Sequence, residues 1–309
     1  MYTTISTAGM DRITWLKLRK SGLGGSDAGA VCGLNPYSSP ANVYLDKISN
    51  EIEDKDNEFM RQGRDLEEYV ARRFSEETGL KVRRSNKLYR SSEHPFMLAD
   101  VDRLIVGENA GLECKTATAF QADQWKDGKV PIHYLIQCLH YMAVTGRDAW
   151  YIAVVILGRE FKYRKIVWDD SLIQKLIAVE EVFWNQNVIP KRMPGPDGSN
   201  ACAGVLEKCF HTAKKGSSVP LVGFDRKLKR HEELMKMKVE LEKEQKQIEQ
   251  EIQFYMKENE VAFNEGYRVT WTNVDTLRLD VKRMKEERPE IYQEFSKTVT
   301  SRRFQIKAA

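Results

Sequence analysis

With 309 residues, of which 41% are hydrophobic and 30% charged, the chain can form one large domain or two smaller ones around a proper core. It has no run of about 18 apolar residues, which excludes a membrane-spanning helix, and its first residues lack the apolar core of a secretion signal. A net charge of +4 permits an acidic partner such as nucleic acid without demonstrating one. Five cysteines, an odd number, favour reduced thiols and a cytoplasmic location.

The first 195 residues alternate between helical and strand patterns. Helices are predicted where apolar residues recur every three or four positions, over residues 11–22, 39–50, 57–79, 132–146 and 169–188. Ser39 before Pro40 is typical of a helix start, and Gly79 and Gly146 are typical of helix ends. Strands are predicted over residues 80–90, 96–106, 111–116, 149–157 and 161–168. Strands that alternate with helices indicate a mixed α/β fold, with a central sheet flanked by helices.

The composition changes after residue 189, where three prolines and three glycines fall within fifteen residues. We therefore predict a domain over residues 1–195, a loop or linker over 196–224, and a C-terminal extension over 225–309. The extension begins with a long charged helix in which an apolar residue recurs every seven positions, at Leu234, Leu241, Ile248 and Tyr255. The second apolar heptad position is mostly missing, so the helix either lies on its own domain or forms a coiled coil. Beyond it we expect a strand, helices and a short last strand.

Charged residues interrupt two apolar runs that otherwise indicate buried strands. Asp102 precedes Leu104, and Glu113 and Lys115 alternate with Leu112 and Cys114. The period of two places Glu113 and Lys115 on one face of their strand. If the two strands pair with Asp102 opposite Lys115 and Glu113 opposite Leu104, all three charged residues share that face, whereas a shift by one residue separates them.

Two carboxylates at this distance repel each other unless a cation lies between them. A hard divalent ion such as Mg²⁺ takes oxygen ligands, and Lys115 beside it can stabilise charge on a phosphate. The alternative is a salt bridge between Asp102 and Lys115 on an edge strand. Two polar residues on helices extend the pattern. Glu67 can reach a metal through water or be a solvated helix acid, and Gln137 on an apolar face can serve the site or cap a nearby carbonyl.

The order of these motifs, GxxxE, then Asp, then ExK, then QxxxY, resembles the PD-(D/E)xK nuclease superfamily. Within it the chain resembles the lambda-exonuclease-type, YqaJ-like viral recombinases over roughly residues 10–195. The strongest single match is the segment from Trp15 to Tyr37, which has W-x-K-x-R followed by a Gly/Ser turn. The resemblance implies a restriction-endonuclease-like core, here with a long C-terminal helix and a small α/β extension.

The resemblance also implies a role for each matching residue. Asp102, Glu113 and the backbone carbonyl of Cys114 match the metal ligands, and Lys115 matches the catalytic lysine. Glu67 matches an acid on the water shell of the metal, and Gln137 a glutamine that helps place the water or the lysine. Arg19 and Ser26 match residues that hold the 5′-phosphate end of the digested strand. Two positions depart from the family pattern, Asp100 where serine is frequent and Gln121 where a basic residue is expected, and both put strict dependence on a 5′ phosphate in doubt.

The implied activity is that of a Mg²⁺-dependent DNA exonuclease, with Mn²⁺ as a substitute ion. It would digest linear double-stranded DNA from 5′ to 3′ and leave 3′ overhangs for recombination by single-strand annealing. The implied partners are double-stranded DNA ends, an annealing protein of the RecT type and further copies of the chain, as in a trimeric ring. The implied location is the cytoplasm of a bacterial host, with a phage or prophage as the source.

Two other functions remain open from the sequence. A RecB-like nuclease with an iron–sulfur cluster shares the motif order, but the ligands available, Cys32, Cys202, Cys209 and His211, are poorly spaced. A non-catalytic DNA-binding recombination partner would keep the fold and lose site residues, whereas all five motif side chains are present here. The sequence therefore favours the exonuclease.

Overall fold

The structure, a computed structural model, describes residues 1–52 and 57–307. The chain divides into two compact units, Met1–His211 and Thr212–Ala309. Within the described ranges, no helix combines the length and the apolar character needed to cross a membrane.

The first unit consists of seven helices and nine strands among its described residues. In chain order these are β1 (Tyr2–Ser6), α1 (Arg12–Lys20), β2 (Leu23–Gly24), α2 (Gly25–Val31), α3 (Pro40–Ile48), α4 (Glu58–Thr78), β3 (Val82–Arg84), β4 (Lys87–Ser91), β5 (Met97–Asp100), β6 (Arg103–Ile105), β7 (Ala110–Ala117), α5 (Ile132–Thr145), β8 (Ala149–Ile156), β9 (Glu160–Val167), α6 (Asp170–Phe183) and α7 (Asn200–Cys209). Short 3₁₀ turns follow β7 over Ala119–Gly128, and a wider helical turn extends α6 over Trp184–Val188.

A five-stranded sheet in the order β3-β6-β7-β8-β9 carries the predicted site. Strands β7 and β8 are parallel and are connected through α5, and the other pairs are antiparallel. Alternate residues of β8 face opposite sides: Trp150 and Ile152 belong to the core cluster that includes α5, whereas Tyr151 packs with Phe74 of α4. The predicted sheet flanked by helices is confirmed.

A second sheet, in the order β1-β4-β5-β2, was not expected. Each of the two strands predicted over 80–90 and 96–106 breaks into two, and each half joins a different sheet. The first break occurs near Asn86, whose φ of 49° lies in the left-handed region, and the second at Val101 and Asp102. Asp102 therefore lies in a bend between two sheets and not inside a strand.

The predicted helix boundaries are confirmed where local chemistry determines them. The Ser39 hydroxyl accepts a hydrogen bond from the amide of Asn42 and caps α3, while α4 and α5 end at Gly79 and Gly146, both with positive φ. The loop predicted over 196–224 is wrong in part, because it contains α7. Ser199 caps this helix, and Cys202 packs with Ala41 of α3.

The second unit begins with α8 (Asp225–Met256) and continues with β10 (Val261–Phe263), β11 (Arg268–Thr270), α9 (Val281–Glu287) and α10 (Pro289–Glu294). The long helix and the antiparallel hairpin β10–β11 match the predicted order. The short last strand is not found: from residue 295 to 307 the chain has no regular secondary structure. The heptad residues Leu234, Leu241 and Ile248 are exposed, so this stripe is not covered by the described part of the unit.

Candidate active site

The hairpin β6–β7 brings Asp102 and Glu113 together, although not in the predicted register. Arg103 pairs with Leu112 and Leu104 with Gly111, which is a shift of two residues from the prediction. In the observed register Leu104 pairs with Gly111, where a Cβ would lie 2.3 Å from the Trp150 ring, so only glycine permits this packing. A shift of two preserves the face, and Asp102 comes level with Glu113.

Glu113 is the central acid of the site and is only 3% exposed. Its Oε1 accepts hydrogen bonds from Lys115 Nζ and from Gln137 Nε2, both at 2.6 Å. Gln137 also donates to the hydroxyl of Tyr141 at 2.8 Å. Glu113 Oε2 is buried and has no hydrogen-bond partner within the part of the chain that the structure describes. One oxygen of the carboxylate thus accepts two hydrogen bonds, while the other accepts none from the described residues.

Asp102 adds a second, half-buried carboxyl group. Its Oδ2 accepts a hydrogen bond from the amide of Cys114 at 2.8 Å. Burial, and then repulsion by Glu113 and Glu67, raise the pKa of Asp102 well above its usual range. Burial also raises the pKa of Glu113, although Lys115 opposes this effect. The two carboxylates are therefore in an environment that disfavours their charged forms unless a cation is added.

Lys115 is held protonated by the same two acids. Burial alone would lower its pKa, but Glu113 and Asp102 outweigh this effect and raise it. Its Nζ lies 4.6 Å from the centre of the Tyr134 ring, a cation–π distance. A lysine in this state cannot act as a general base and instead provides positive charge.

Arg103 is a site residue that sequence reasoning missed. This arginine is 3% exposed and donates to Glu67, to Glu68 at 3.0 Å and to the carbonyl of Asp102 at 2.7 Å. Glu67, predicted near a helix start, lies in the middle of α4 and bonds to this guanidinium. The sequence does contain a sign of this role. Arg103 stands next to Leu104 in an otherwise apolar run, and a buried arginine requires a nearby negative charge.

The predicted phosphate-end residues are also in contact. Arg19 donates to the hydroxyl of Ser26 at 2.7 Å. Next to them, the indole of Trp15 donates to Asp100 Oδ2 at 2.8 Å and lies 4.9 Å from the Arg19 guanidinium. Burial raises the pKa of Asp100. The structure thus places Asp100, one of the two departures from the family pattern, beside the arginine proposed to bind phosphate.

These residues fit a divalent cation. The protein offers the buried carboxylate of Glu113, with one oxygen that has no hydrogen-bond partner among the described residues, the half-buried carboxylate of Asp102 and the backbone carbonyl of Cys114. These are the hard oxygen donors that Mg²⁺ prefers. No three His, Cys, Asp or Glu side chains in residues 1–52 and 57–307 form a group suited to a metal ion. Cys32, Cys202, Cys209 and His211 do not form such a group within those residues either.

The flanked sheets and the D…ExK pair of strands define a PD-(D/E)xK fold of the lambda-exonuclease type. The structure is similar to an alkaline exonuclease from Laribacter hongkongensis (TM-score 0.50, 21% identity), covering 58% of this chain and 93% of that one. It is likewise similar to that exonuclease in complex with dAMP (TM-score 0.50, 20% identity), covering 63% and 97% of the two chains.

The sequence comparisons are more specific than the fold. Residues 14–148 match the family described as YqaJ-like viral recombinase domain. The uncharacterized protein YqaJ of Bacillus subtilis (strain 168) is 36% identical over 302 residues, which are 96% of this chain and 95% of that protein. The chain belongs to the YqaJ-like viral recombinase family.

Proposed function

We propose that this chain is a divalent-metal-dependent deoxyribonuclease that digests linear double-stranded DNA from its ends. Membership of a recombinase family, and a fold shared with an alkaline exonuclease, support DNA cleavage. The observation that carries the proposal is the asymmetry of Glu113: Lys115 and Gln137 occupy Oε1, while the buried Oε2 is left for a cation.

Each site residue has a distinct task in this proposal. Asp102, Glu113 and the carbonyl of Cys114 would hold Mg²⁺, or Mn²⁺ in its place, with Glu67 acting through a water molecule. When bound, the ion polarises the scissile phosphate and lowers the pKa of a coordinated water. Lys115, already protonated, faces the negative charge that develops on the phosphate, and Gln137 fixes the orientation of Glu113.

We further propose that digestion runs from 5′ to 3′ and leaves 3′ overhangs for single-strand annealing. Arg19 and Ser26, joined at 2.7 Å, would bind the 5′ end of the digested strand. Asp100 places a carboxyl group beside Arg19, and in its charged form this carboxylate would reduce the affinity that a 5′ phosphate adds, relative to a purely cationic pocket. Cleavage of 5′-hydroxyl ends at a comparable rate is the expected consequence.

The partner proposals concern the second unit and the assembly. We propose that residues 1–195 are the nuclease domain and that residues 225–309 bind a RecT-type annealing protein. We also propose that the chain forms an oligomer, such as a trimeric ring. Its proposed location is the bacterial cytoplasm, as a phage or prophage product. The exposed heptad residues of α8 are the support for a partner. A chain that ends at Gly223 and still binds the annealing protein with full affinity would contradict the assignment to residues 225–309.

The deciding experiment digests a linear duplex labelled at one 5′ or one 3′ end, in Mg²⁺ or EDTA. Wild type should release the 5′ label as a mononucleotide in Mg²⁺ only, and Glu113→Gln should release none. Glu160→Gln, the same change in an exposed acid on β9, serves as the matched control and should match wild type. Equal cleavage of circular DNA would indicate an endonuclease. No cleavage with any divalent ion would refute the nuclease and favour a non-catalytic DNA-binding partner.

A further inference from the structure

An exposed tyrosine lies at the outer end of a row of rings that leads to Lys115. Tyr37, in the segment between α2 and α3, is 64% exposed. Its hydroxyl accepts a hydrogen bond from Gln121 Nε2 at 3.2 Å, and its ring meets His133 edge-to-face, with 5.9 Å between centroids. The ring is thus held at two points while most of its surface faces solvent.

His133 supports this ring from beneath. It is 9% exposed, and a Cβ at Gly29 would lie 3.0 Å from its Cβ, so the glycine allows α2 and α5 to approach closely here. Its Nε2 is buried without a hydrogen-bond partner among the described residues. Burial, and secondarily Lys115, lower the pKa of His133 to about 4. Burial thus favours the neutral imidazole at neutral pH.

Tyr134 completes the connection to the candidate active site. Its ring centroid is 4.1 Å from that of His133, and the same ring lies 4.6 Å from Lys115 Nζ. We call Tyr37, His133 and Tyr134 the aromatic row. Trp125 stacks on Tyr134 at 5.9 Å and backs the row from the protein interior.

The surroundings of Tyr37, the exposed end of the aromatic row, indicate which kind of ligand it can bind. Both side chains that hold Tyr37, namely His133 and Gln121, are uncharged, so this end offers a flat apolar surface and not an anion site. Core packing alone would bury the ring. DNA whose phosphate lies at Lys115 has one uncharged flat component within reach of the row, its nucleobase, and stacking on an aromatic side chain contributes about 1–3 kcal/mol per base.

We propose that Tyr37 is the stacking platform for a nucleobase of the strand whose phosphate lies at Lys115. This inference rests on the proposed nuclease function, which supplies the DNA. Stacking does not depend on base identity, so the platform would position any of the four bases and add no sequence preference.

The test is equilibrium binding of a DNA duplex in EDTA, which requires neither metal nor turnover. Tyr37→Ala should weaken binding by about 5- to 150-fold, whereas Tyr37→Phe should match wild type. Tyr267→Ala, which removes an exposed tyrosine from the second unit, is the matched control and should have no effect. An abasic residue at one of the first three positions from an end should weaken binding to wild type as much as Tyr37→Ala does, and the two losses should not add.

A second measurement identifies the contact directly. A 5-iodouracil at the position found with the abasic duplexes should photo-cross-link wild type within the peptide that contains Tyr37. Unchanged affinity of Tyr37→Ala, additive losses, or a cross-link elsewhere would overturn the proposal. If wild type stacks the base as expected but cleaves no DNA, the nuclease proposal fails and the platform stands. If wild type cleaves and Tyr37→Ala binds and cross-links normally, the platform alone fails.

Discussion

Arg103 offers the sharpest test of how the site is held together. Replacing it with methionine keeps much of the side-chain volume and removes the only guanidinium bonded to both Glu67 and the Asp102 carbonyl in the described structure. Breaking a buried ion pair from one side costs about 3–5 kcal/mol. Since the Glu67 and Glu68 side chains are 29% and 67% exposed, water screens part of this loss, and we expect about 3 kcal/mol.

The assay is urea unfolding followed by tryptophan fluorescence, which reports mainly on the first unit because five of the six tryptophans lie there. Arg84→Met is the control. Arg84 lies on β3, the strand next to β6, and forms an exposed ion pair with Glu68 of α4, so its loss should cost less than about 1 kcal/mol. Adding Glu67→Gln to Arg103→Met should recover part of the loss, because the unpaired carboxylate disappears. If Arg103→Met costs no more than Arg84→Met, the buried pair does not stabilise the site as argued.

Three further predictions follow from other contacts. Lys115→Met should abolish cleavage, because the lysine acts mainly on charge that develops during the reaction. For the same reason, DNA binding in EDTA should fall by less than about tenfold. A loss of binding without a loss of the cleavage rate would contradict this role. Gly111→Ala should destabilise the first unit by about 1–3 kcal/mol through overpacking against Trp150, whereas Gly63→Ala, where the nearest atom is 3.9 Å away, should stabilise α4 by about 0.5–1 kcal/mol in the same urea assay. The Nδ1 atom of His140 lies 2.8 Å from Glu180 Oε1, and its Nε2 atom lies 2.8 Å from the carbonyl oxygen of Leu98. Burial lowers the pKa of His140, but the nearby Glu180 outweighs this effect and raises it. The stability of wild type relative to His140→Gln should therefore be largest below pH 6.5 and decline as the pH rises through the raised pKa, and a difference that grows with pH would refute the charged pair.

Sequence reasoning succeeded where the determinants are local. Ser39, Gly79 and Gly146 mark helix ends through their own backbone and side-chain chemistry, and the alternation around Glu113 placed it correctly on the face of Lys115. The candidate site residues were found as a set because their motifs occur in one order. Their roles stay predictions, since geometry brings the side chains together without testing what they do.

The failures all depended on contacts that are distant in the chain. In the observed β6–β7 register, Gly111 packs against the ring of Trp150, which is 39 residues away in the chain and is not indicated by the sequence around Gly111. The breaks at Asn86 and Asp102 exist because the chain crosses between two sheets, one of which was not foreseen. Arg103 was missed because its partners lie on α4, 35 and 36 residues away.

The bend at Asp102 links the two sheets of the first unit to the two carboxylates. Asp102 lies where the chain leaves the four-stranded sheet, whereas Glu113 lies within the five-stranded one. A ligand that binds both acids must favour one angle between the sheets, and by thermodynamic reciprocity the angle must influence the ligand's affinity. If the proposed cation binds both acids, its affinity would therefore respond to substitutions in β1 and β4, which belong to the four-stranded sheet and carry none of the candidate site residues.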